Sequence, residues 1–154
     1  MKQDLRSFIE EYGRAYPGEV IRVSEPVGLQ FALQAVVLEL ERRRRFPILL
    51  FENVHGHTIP IICNVMASRR ALAFALGVEE AQMPLEYARR LKEYIKPVVA
   101  RDPPCRHTIL TGAQVDLSKL PIPTYFPGDG GPYITAALTV AKDPDTGVET
   151  EGYH

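Results

Sequence analysis

The sequence is poor in the features that mark many functional classes. It holds two cysteines, Cys63 and Cys105, among 154 residues. They form neither a C-x-x-C pair nor a zinc-type spacing, and they read as reduced thiols of a cytoplasmic protein. No charge of one sign dominates: 18 Lys and Arg stand against 19 Asp and Glu, a net charge of -1. Bulk electrostatics therefore point to neither nucleic acid nor a membrane surface. No apolar run approaches the roughly 20 residues that a membrane span needs. The stretch from Met1 to Glu11 is polar and amphipathic, and does not read as a signal peptide. Internal repeats and low-complexity tracts are absent.

What is abundant is proline. Of 13 prolines, Pro97, Pro103, Pro104, Pro121, Pro123, Pro127 and Pro132 all fall between positions 97 and 132. Proline fixes φ and removes a backbone donor, so this span is neither one long helix nor a central strand. It reads as a boundary between two packed units. At 45% hydrophobic and 24% charged the rest is ordinary for a globular protein, and the length suits one well-buried domain or a small domain plus part of another.

Periodicity predicts the elements. Asp4 is placed to cap a helix running to about Tyr12, with Leu5, Phe8 and Ile9 on one face. Tyr16-Pro17-Gly18 is a turn, and Glu19 to Val23 a short strand ended by Pro26. Leu29 to Arg44 is the strongest helix; Leu29, Leu33, Val36, Val37 and Leu40 recur at helical spacing, and the width of the stripe implies burial on more than one side. Pro47 breaks it. Ile48 to Phe51 then reads as a buried strand, Val54 to His57 as a turn, and Thr58 to Val65 as a second strand. Ser68 is placed to cap a short helix that Gly77 terminates. A helix follows Pro84, with Leu85, Ala88, Leu91 and Ile95 on one face. His107 to Leu110 is a candidate strand. Tyr133 to Ala141 reads as a long apolar strand, Asp143 to Gly147 as a hairpin turn, and Val148 onward as the return strand. The first hundred residues thus predict a small α/β layer, a sheet covered by helices. The last fifty begin a β structure that they are not expected to complete.

Each polar cluster has a plain reading beside a functional one. Arg42-Arg43-Arg44-Arg45 could bind phosphate or nucleic acid, but it falls at a helix C-terminus, where the dipole favours cations, and no aromatics are interleaved. His55 and His57 straddle Gly56 with no third ligand nearby, which suits a polar turn better than a metal site. Arg69 and Arg70 follow Ser68 at a helix N-terminus, where a cation is unfavourable unless an anion shares the site. Solvated arginines or inter-domain salt bridges are the alternative. Gly128-Asp129-Gly130-Gly131 matches neither the P-loop nor the dinucleotide fingerprint, and a strand follows it rather than a helix. By composition it is a turn. No Ser/His/Asp or Cys/His constellation stands out, so the residues alone name no reaction.

Three blocks together resemble the UbiD family of decarboxylases. They are Leu50-Phe51-Glu52-Asn53 with Gly56; Cys63-Asn64 through Ser68, Arg69-Arg70-Ala71-Leu72-Ala73 and Leu76-Gly77; and Asp116-Leu117-Ser118-Lys119-Leu120-Pro121 through Pro127-Gly128-Asp129-Gly130-Gly131 and Tyr133-Ile134-Thr135. Their order and separation match as well, over nearly the whole chain. The resemblance implies an N-terminal α/β domain over residues 1–105, a proline-rich linker over 106–132, and over 133–154 the first strands of a split β-barrel flavin-binding domain. It implies a non-oxidative, often reversible decarboxylase of aromatic or α,β-unsaturated carboxylic acids, using prenylated FMN made by a partner flavin prenyltransferase. A manganese or magnesium ion would bridge the cofactor phosphate to the protein, with potassium nearby, and the enzyme would form a homo-oligomer.

Carried over residue by residue, Thr135 on the first barrel strand would reach the active-site side. The family's asparagine metal ligand falls on Thr150, whose neutral hydroxyl is a weaker donor to a hard cation. Gly152, Tyr153 and His154 match positions that line the cofactor, and the arginine that usually follows would fall one position past His154. No catalytic residue is assigned in the chain, because the family's Glu-Arg-Glu network lies in sequence expected downstream. The chain alone is therefore expected to be inactive. Two other classes fit less of the pattern: a small binding or assembly subunit that completes its barrel with a larger partner chain, and a generic FMN-binding domain.

Overall fold

The computed structural model describes residues 4–96 and 98–153. Helix α1 (Leu5–Ala15) begins where Asp4 accepts a hydrogen bond from the Ser7 backbone N–H at 3.0 Å, satisfying one of the orphan donors of the first turn. Strand β1 (Val20–Val23) leads through an irregular passage into helix α2 (Ala32–Arg42), then strands β2 (Ile48–Phe51) and β3 (Ile61–Cys63). Helices α3 (Arg69–Leu76) and α4 (Met83–Arg90) follow, and after a long segment of isolated single turns come strands β4 (Leu138–Lys142) and β5 (Glu149–Tyr153).

The first three strands form one sheet in the order β1-β2-β3. β1 pairs parallel to β2, with Val20 opposite Ile48 and Val23 opposite Phe51, and β2 pairs antiparallel to β3. The central strand reads Ile-Leu-Leu-Phe with no alternation because both of its faces are covered. Leu49 and Phe51 point to one side, where Val27, Leu33 and Val54 complete a core roofed by α2. Ile48 points to the other, where Tyr12 of α1 and Ala71 of α3 meet it and Phe8, Tyr16 and Phe74 stack around them. The result is a three-layer α/β domain, as the helix–strand order predicts.

Several elements differ from the sequence expectation. Helix α2 starts at Ala32, not Leu29. The backbone of residues 29–31 is engaged elsewhere: Phe31 N–H donates to the Thr124 carbonyl at 2.9 Å and Thr124 N–H donates to Leu29 at 3.0 Å. Phe31 turns into the helix at φ 64, a left-handed conformation that a bulky residue rarely takes. Strand β3 is limited to Ile61–Cys63, the length over which β2 offers partners. The segment Tyr133 to Ala141 is a strand only from Leu138: Tyr133 N–H is committed to the Pro123 carbonyl, and the described residues of β5 pair with the chain from Leu138 onward. No strand forms at His107 to Leu110. A single 3-10 turn at Pro104–Arg106 precedes it, and no described segment lies alongside to accept a ladder.

Helix α4 ends at Arg90, short of Leu91 and Ile95, and its apolar positions face solvent, with Leu85 77% exposed. What holds it locally is an ion cluster. Glu86 accepts from both Arg89 and Arg90, at 2.7–2.9 Å, and these bonds hold its carboxyl at about 2 against an ordinary 4.5. A carboxyl depressed in the folded state contributes stability above its unfolded pKa and loses it as the pH falls through the folded one. We therefore expect α4 helicity to fall between pH 4.5 and about 2. A Glu86→Gln variant followed by circular dichroism should show no such loss in that window. Identical acid profiles for the two proteins would remove the ion cluster from the account.

Both cysteines are free; Cys63 is part-buried on β3 and burial raises its thiol pKa, whereas Cys105 is exposed. A thiol reagent at neutral pH is expected to label Cys105 promptly and Cys63 only after denaturant is added. Equal labelling rates in the native chain would contradict that burial.

Candidate functional site

The proline-rich segment is docked along the α/β domain rather than loose. Pro123 is buried, Thr124 forms a parallel bridge with Gln30, and His57 Nδ1 donates to the Lys119 carbonyl at 3.2 Å. The histidine turn therefore acts as a tether for this segment. Beyond the bridge the chain reverses at Pro127-Gly128-Asp129. The Asp129 carboxylate accepts from the backbone N–H groups of Tyr125 (3.1 Å) and Phe126 (2.8 Å). Those amides are thus occupied by the chain's own carboxylate, which makes the glycine-rich stretch a self-satisfied turn. Gly131 then takes φ 153, a backbone that L side chains rarely adopt.

That turn brings two distant tyrosines and a threonine together. The rings of Tyr125 and Tyr133 lie 4.9 Å apart at a tilt of 56°. The Tyr125 hydroxyl is 3.2 Å from Thr135 Oγ1, within hydrogen-bond reach. Thr135 is therefore held in place by Tyr125 across the turn. Sequence reasoning missed Tyr125 as a positioning residue. The signal was a tyrosine and a threonine flanking a tight glycine turn, and it becomes specific only once the turn is seen to close.

Strands β4 and β5 form a two-stranded antiparallel hairpin, with Ala141 opposite Thr150, Thr139 opposite Gly152 and Leu138 opposite Tyr153. Its turn is built on Asp143, whose carboxylate accepts from the backbone of Asp145 and Thr146 and from the Thr146 hydroxyl; these bonds lower its pKa. Gly147 closes the turn at φ 71. Strand alternation places Thr139, Ala141, Thr150 and Gly152 on one face, and Leu138, Val140, Lys142, Glu149 and Glu151 on the other. Tyr153 shares the register of Leu138, on the opposite parity from Thr150 and Gly152. His154 lies outside the described residues. Of the sequence-expected site residues, the structure thus puts Thr150 and Gly152 on a common face, and fixes Thr135 separately through Tyr125.

The two faces differ in what they could hold. The Thr139–Ala141–Thr150–Gly152 face carries only small side chains, leaving room for a planar ring to approach the backbone closely. A divalent metal is another matter. Hard cations take about six or more oxygen ligands, usually with carboxylates among them. The acids of this hairpin, Glu149 and Glu151, sit on the other face, and Glu149 is paired with Lys142 at 3.4 Å. Among the described residues no group of three or more His, Cys, Asp or Glu side chains could hold a metal ion. Thr150 offers one neutral hydroxyl, so the described donors fit a flavin face and do not by themselves fit a metal site.

Comparison with known proteins gives this geometry a context. Residues 15–91 match the model of the 3-octaprenyl-4-hydroxybenzoate carboxy-lyase N-terminal domain, UbiD_N. Residues 96–154 match that of the 3-octaprenyl-4-hydroxybenzoate carboxy-lyase Rift-related domain, UbiD. Among solved structures, the UbiD-class enzyme HmfF from Pelotomaculum thermopropionicum in complex with FMN is 31% identical, with a TM-score of 0.79, over 97% of this chain and 33% of that one. An evolved dimeric form of that enzyme in complex with prFMN is also 31% identical, with a TM-score of 0.73, over 97% and 34%. The apo 3,4-dihydroxybenzoic acid decarboxylase from Enterobacter cloacae is 30% identical, with a TM-score of 0.86, over 98% of this chain and 34% of that one. The chain thus spans about a third of the length of the structures it matches.

Proposed function

Since this chain belongs to the UbiD family, we propose that it is the N-terminal part of a non-oxidative, reversible decarboxylase of aromatic or α,β-unsaturated carboxylic acids that uses prenylated FMN. The observation that carries this reading is the tandem match, an N-terminal-domain segment followed by a Rift-related segment within one chain. Two structural facts support it. The chain corresponds to about a third of each UbiD-class structure it resembles. Many apolar side chains of its second half lie open, with Leu91, Ile95, Val99, Ile109 and Val140 each at least 60% exposed, as surfaces awaiting cover would be.

In this reading residues 133–154 are the opening strands of a split β-barrel, the region 1–105 is the α/β domain, and 106–132 is the linker that docks one to the other. When bound, prenylated FMN would supply the electron sink for loss of carbon dioxide. The residues of this chain would bind and orient. The small face of Thr150 and Gly152 would receive the flavin, the family resemblance adds Tyr153 and His154 as cofactor-lining positions, and Tyr125 would fix Thr135 toward the active-site side. Thr150 would contribute at most a secondary contact to a manganese or magnesium ion whose charged ligands come from elsewhere in the full-length protein, as would the catalytic acid–base residues and any potassium site. The protein would be cytoplasmic and homo-oligomeric, and would depend on a flavin prenyltransferase for its cofactor. Among the described residues no helix is long and apolar enough to cross a membrane.

The test is carbon dioxide release from a panel of aromatic and α,β-unsaturated acids with prenylated FMN and Mn2+. The chain of residues 1–154 alone is expected to show no turnover, and the product of the gene read through on both sides is expected to show it. Turnover by the 154-residue chain alone would overturn the reading. Activity only on co-expression with a separate larger chain would instead favour an assembly subunit.

A further inference from the structure

The two arginine runs, far apart in the sequence, are brought to a single cleft. Arg44 and Arg45, just past the end of α2, form one wall; Arg69 and Arg70, in the first turn of α3, form the other, with Ser68 between. The cleft measures about 250 Å³ and its lining is mainly polar. Two features of the backbone aim the arginines there. α2 closes with Arg44 at φ 55, donating to Glu41, while Arg45 N–H reaches back to Leu40. α3 begins directly after Ser68, whose hydroxyl accepts from Ala71.

The charges of this cleft are not balanced from within. Arg70 is fixed by Glu19 (3.4 Å) and Glu80 (3.5 Å), with Tyr16 beneath it. Arg45 reaches only the Gly18 carbonyl, at 3.5 Å. Among the described residues, Arg44 and Arg69 have no carboxylate partner, and the backbone N–H groups of Arg69 and Arg70 have no acceptor. Four guanidiniums against two carboxylates leave an excess of two positive charges in one concavity. Bringing like charges together is unfavourable unless an anion joins them. The first amides of a helix add donors of the same preference.

We propose that this cleft is a binding site for a phosphate-type oxyanion. Guanidinium groups match tetrahedral oxyanions in both charge and geometry. The size also decides: drug-sized ligands occupy roughly 300–1,000 Å³, so this smaller, polar cleft suits the phosphate itself or a diphosphate. The site lies on the α/β domain, away from the β4–β5 hairpin and the flavin face proposed there, and stands independently of the decarboxylase reading.

The test is an NMR titration of the whole chain with inorganic phosphate and with pyrophosphate, against sodium chloride at matched ionic strength. Saturable shifts at the Arg69 and Arg70 amides are expected with both phosphates and not with chloride. The double substitution Arg44→Ala/Arg69→Ala removes two exposed side chains that hold no ion pair in the fold, so the protein should remain folded by circular dichroism. It should weaken pyrophosphate binding by about tenfold or more, the loss of at least one charge-assisted hydrogen bond. Arg44→Lys/Arg69→Lys should recover part of it, since charge is restored without the planar fork. Adenosine monophosphate separates the sources: binding at least as weak as that of phosphate assigns the site to the free anion, and much tighter binding assigns it to a nucleotide's phosphate with exposed Phe46 at the cleft under the base. Shifts that never saturate, that chloride reproduces, or that the double substitution leaves unchanged would overturn the proposal.

Discussion

Phe51→Ala is expected to destabilise the α/β domain by about 3–5 kcal/mol, a large share of the roughly 5–15 kcal/mol that holds a typical domain together. Phe51 sits on the central strand with no exposed surface, packed with Leu33, Leu49 and Val54 beneath α2. Truncation removes the ring's transfer energy and leaves a cavity, because the strand is fixed on both sides, by β1 through Val23 and by β3 through Ile61. Urea denaturation followed by circular dichroism would measure the loss. The matched control is Phe126→Ala, whose ring is 45% exposed on the glycine turn of the proline-rich segment and whose loss should move the midpoint little. A Phe51→Ala midpoint as near to wild type as the control's would mean that the core between the sheet and α2 does not carry the domain.

The α/β half was legible because its signals are local and agree with one another. Asp4 and Ser68 are caps by chemistry, and they cap α1 and α3. Gly77 is a terminator by its lack of a Cβ, and it takes the left-handed φ of 70 that ends α3. The unbroken apolar run of Ile48 to Phe51 predicts a buried strand, and both of its faces are covered. Where the structure departs from these local signals, a distant segment claims the backbone. Leu29 to Phe31 fit the helical stripe, yet their amides and carbonyls serve Thr124, far along the chain. Tyr133 to Ala137 fit a strand, yet no described strand pairs with them, and Tyr133 N–H goes to the Pro123 carbonyl. α4 was given an apolar face by its spacing, and the spacing is there, but nothing among the described residues covers it. Periodicity reports which residues want burial, and says nothing of where the covering surface comes from.

The candidate site divides in the same way. That Thr150 and Gly152 share a face follows from strand alternation alone, and was readable once β5 was placed. That Thr135 is held by Tyr125, and that Arg44 and Arg45 meet Arg69 and Arg70, depends on chain reversals that no local pattern encodes.

The β4–β5 hairpin is expected to exchange its amide hydrogens about a thousandfold or more faster than strand β2 in the 154-residue chain. Exchange from a core strand requires opening that approaches the global unfolding free energy, whereas a weakly supported element opens at almost none. At a domain stability near 5 kcal/mol that difference exceeds about three orders of magnitude. β2 is central, paired on both edges and buried on both faces. Among the described residues the hairpin has only its own ladder, and all the side chains of β4 are exposed, with Leu138 and Val140 among them at more than half their surface. A lone two-stranded hairpin is marginal in water, and its exposed Leu138 and Val140 and its free edges invite pairing with further strands. If the barrel reading is right, those strands come with the rest of the protein. The same amides should then slow by a comparable factor in the full-length product, while β2 changes little. Hairpin amides already protected like β2 in the short chain would mean that this ribbon is stable by itself, and that it is not waiting to be built into a larger sheet.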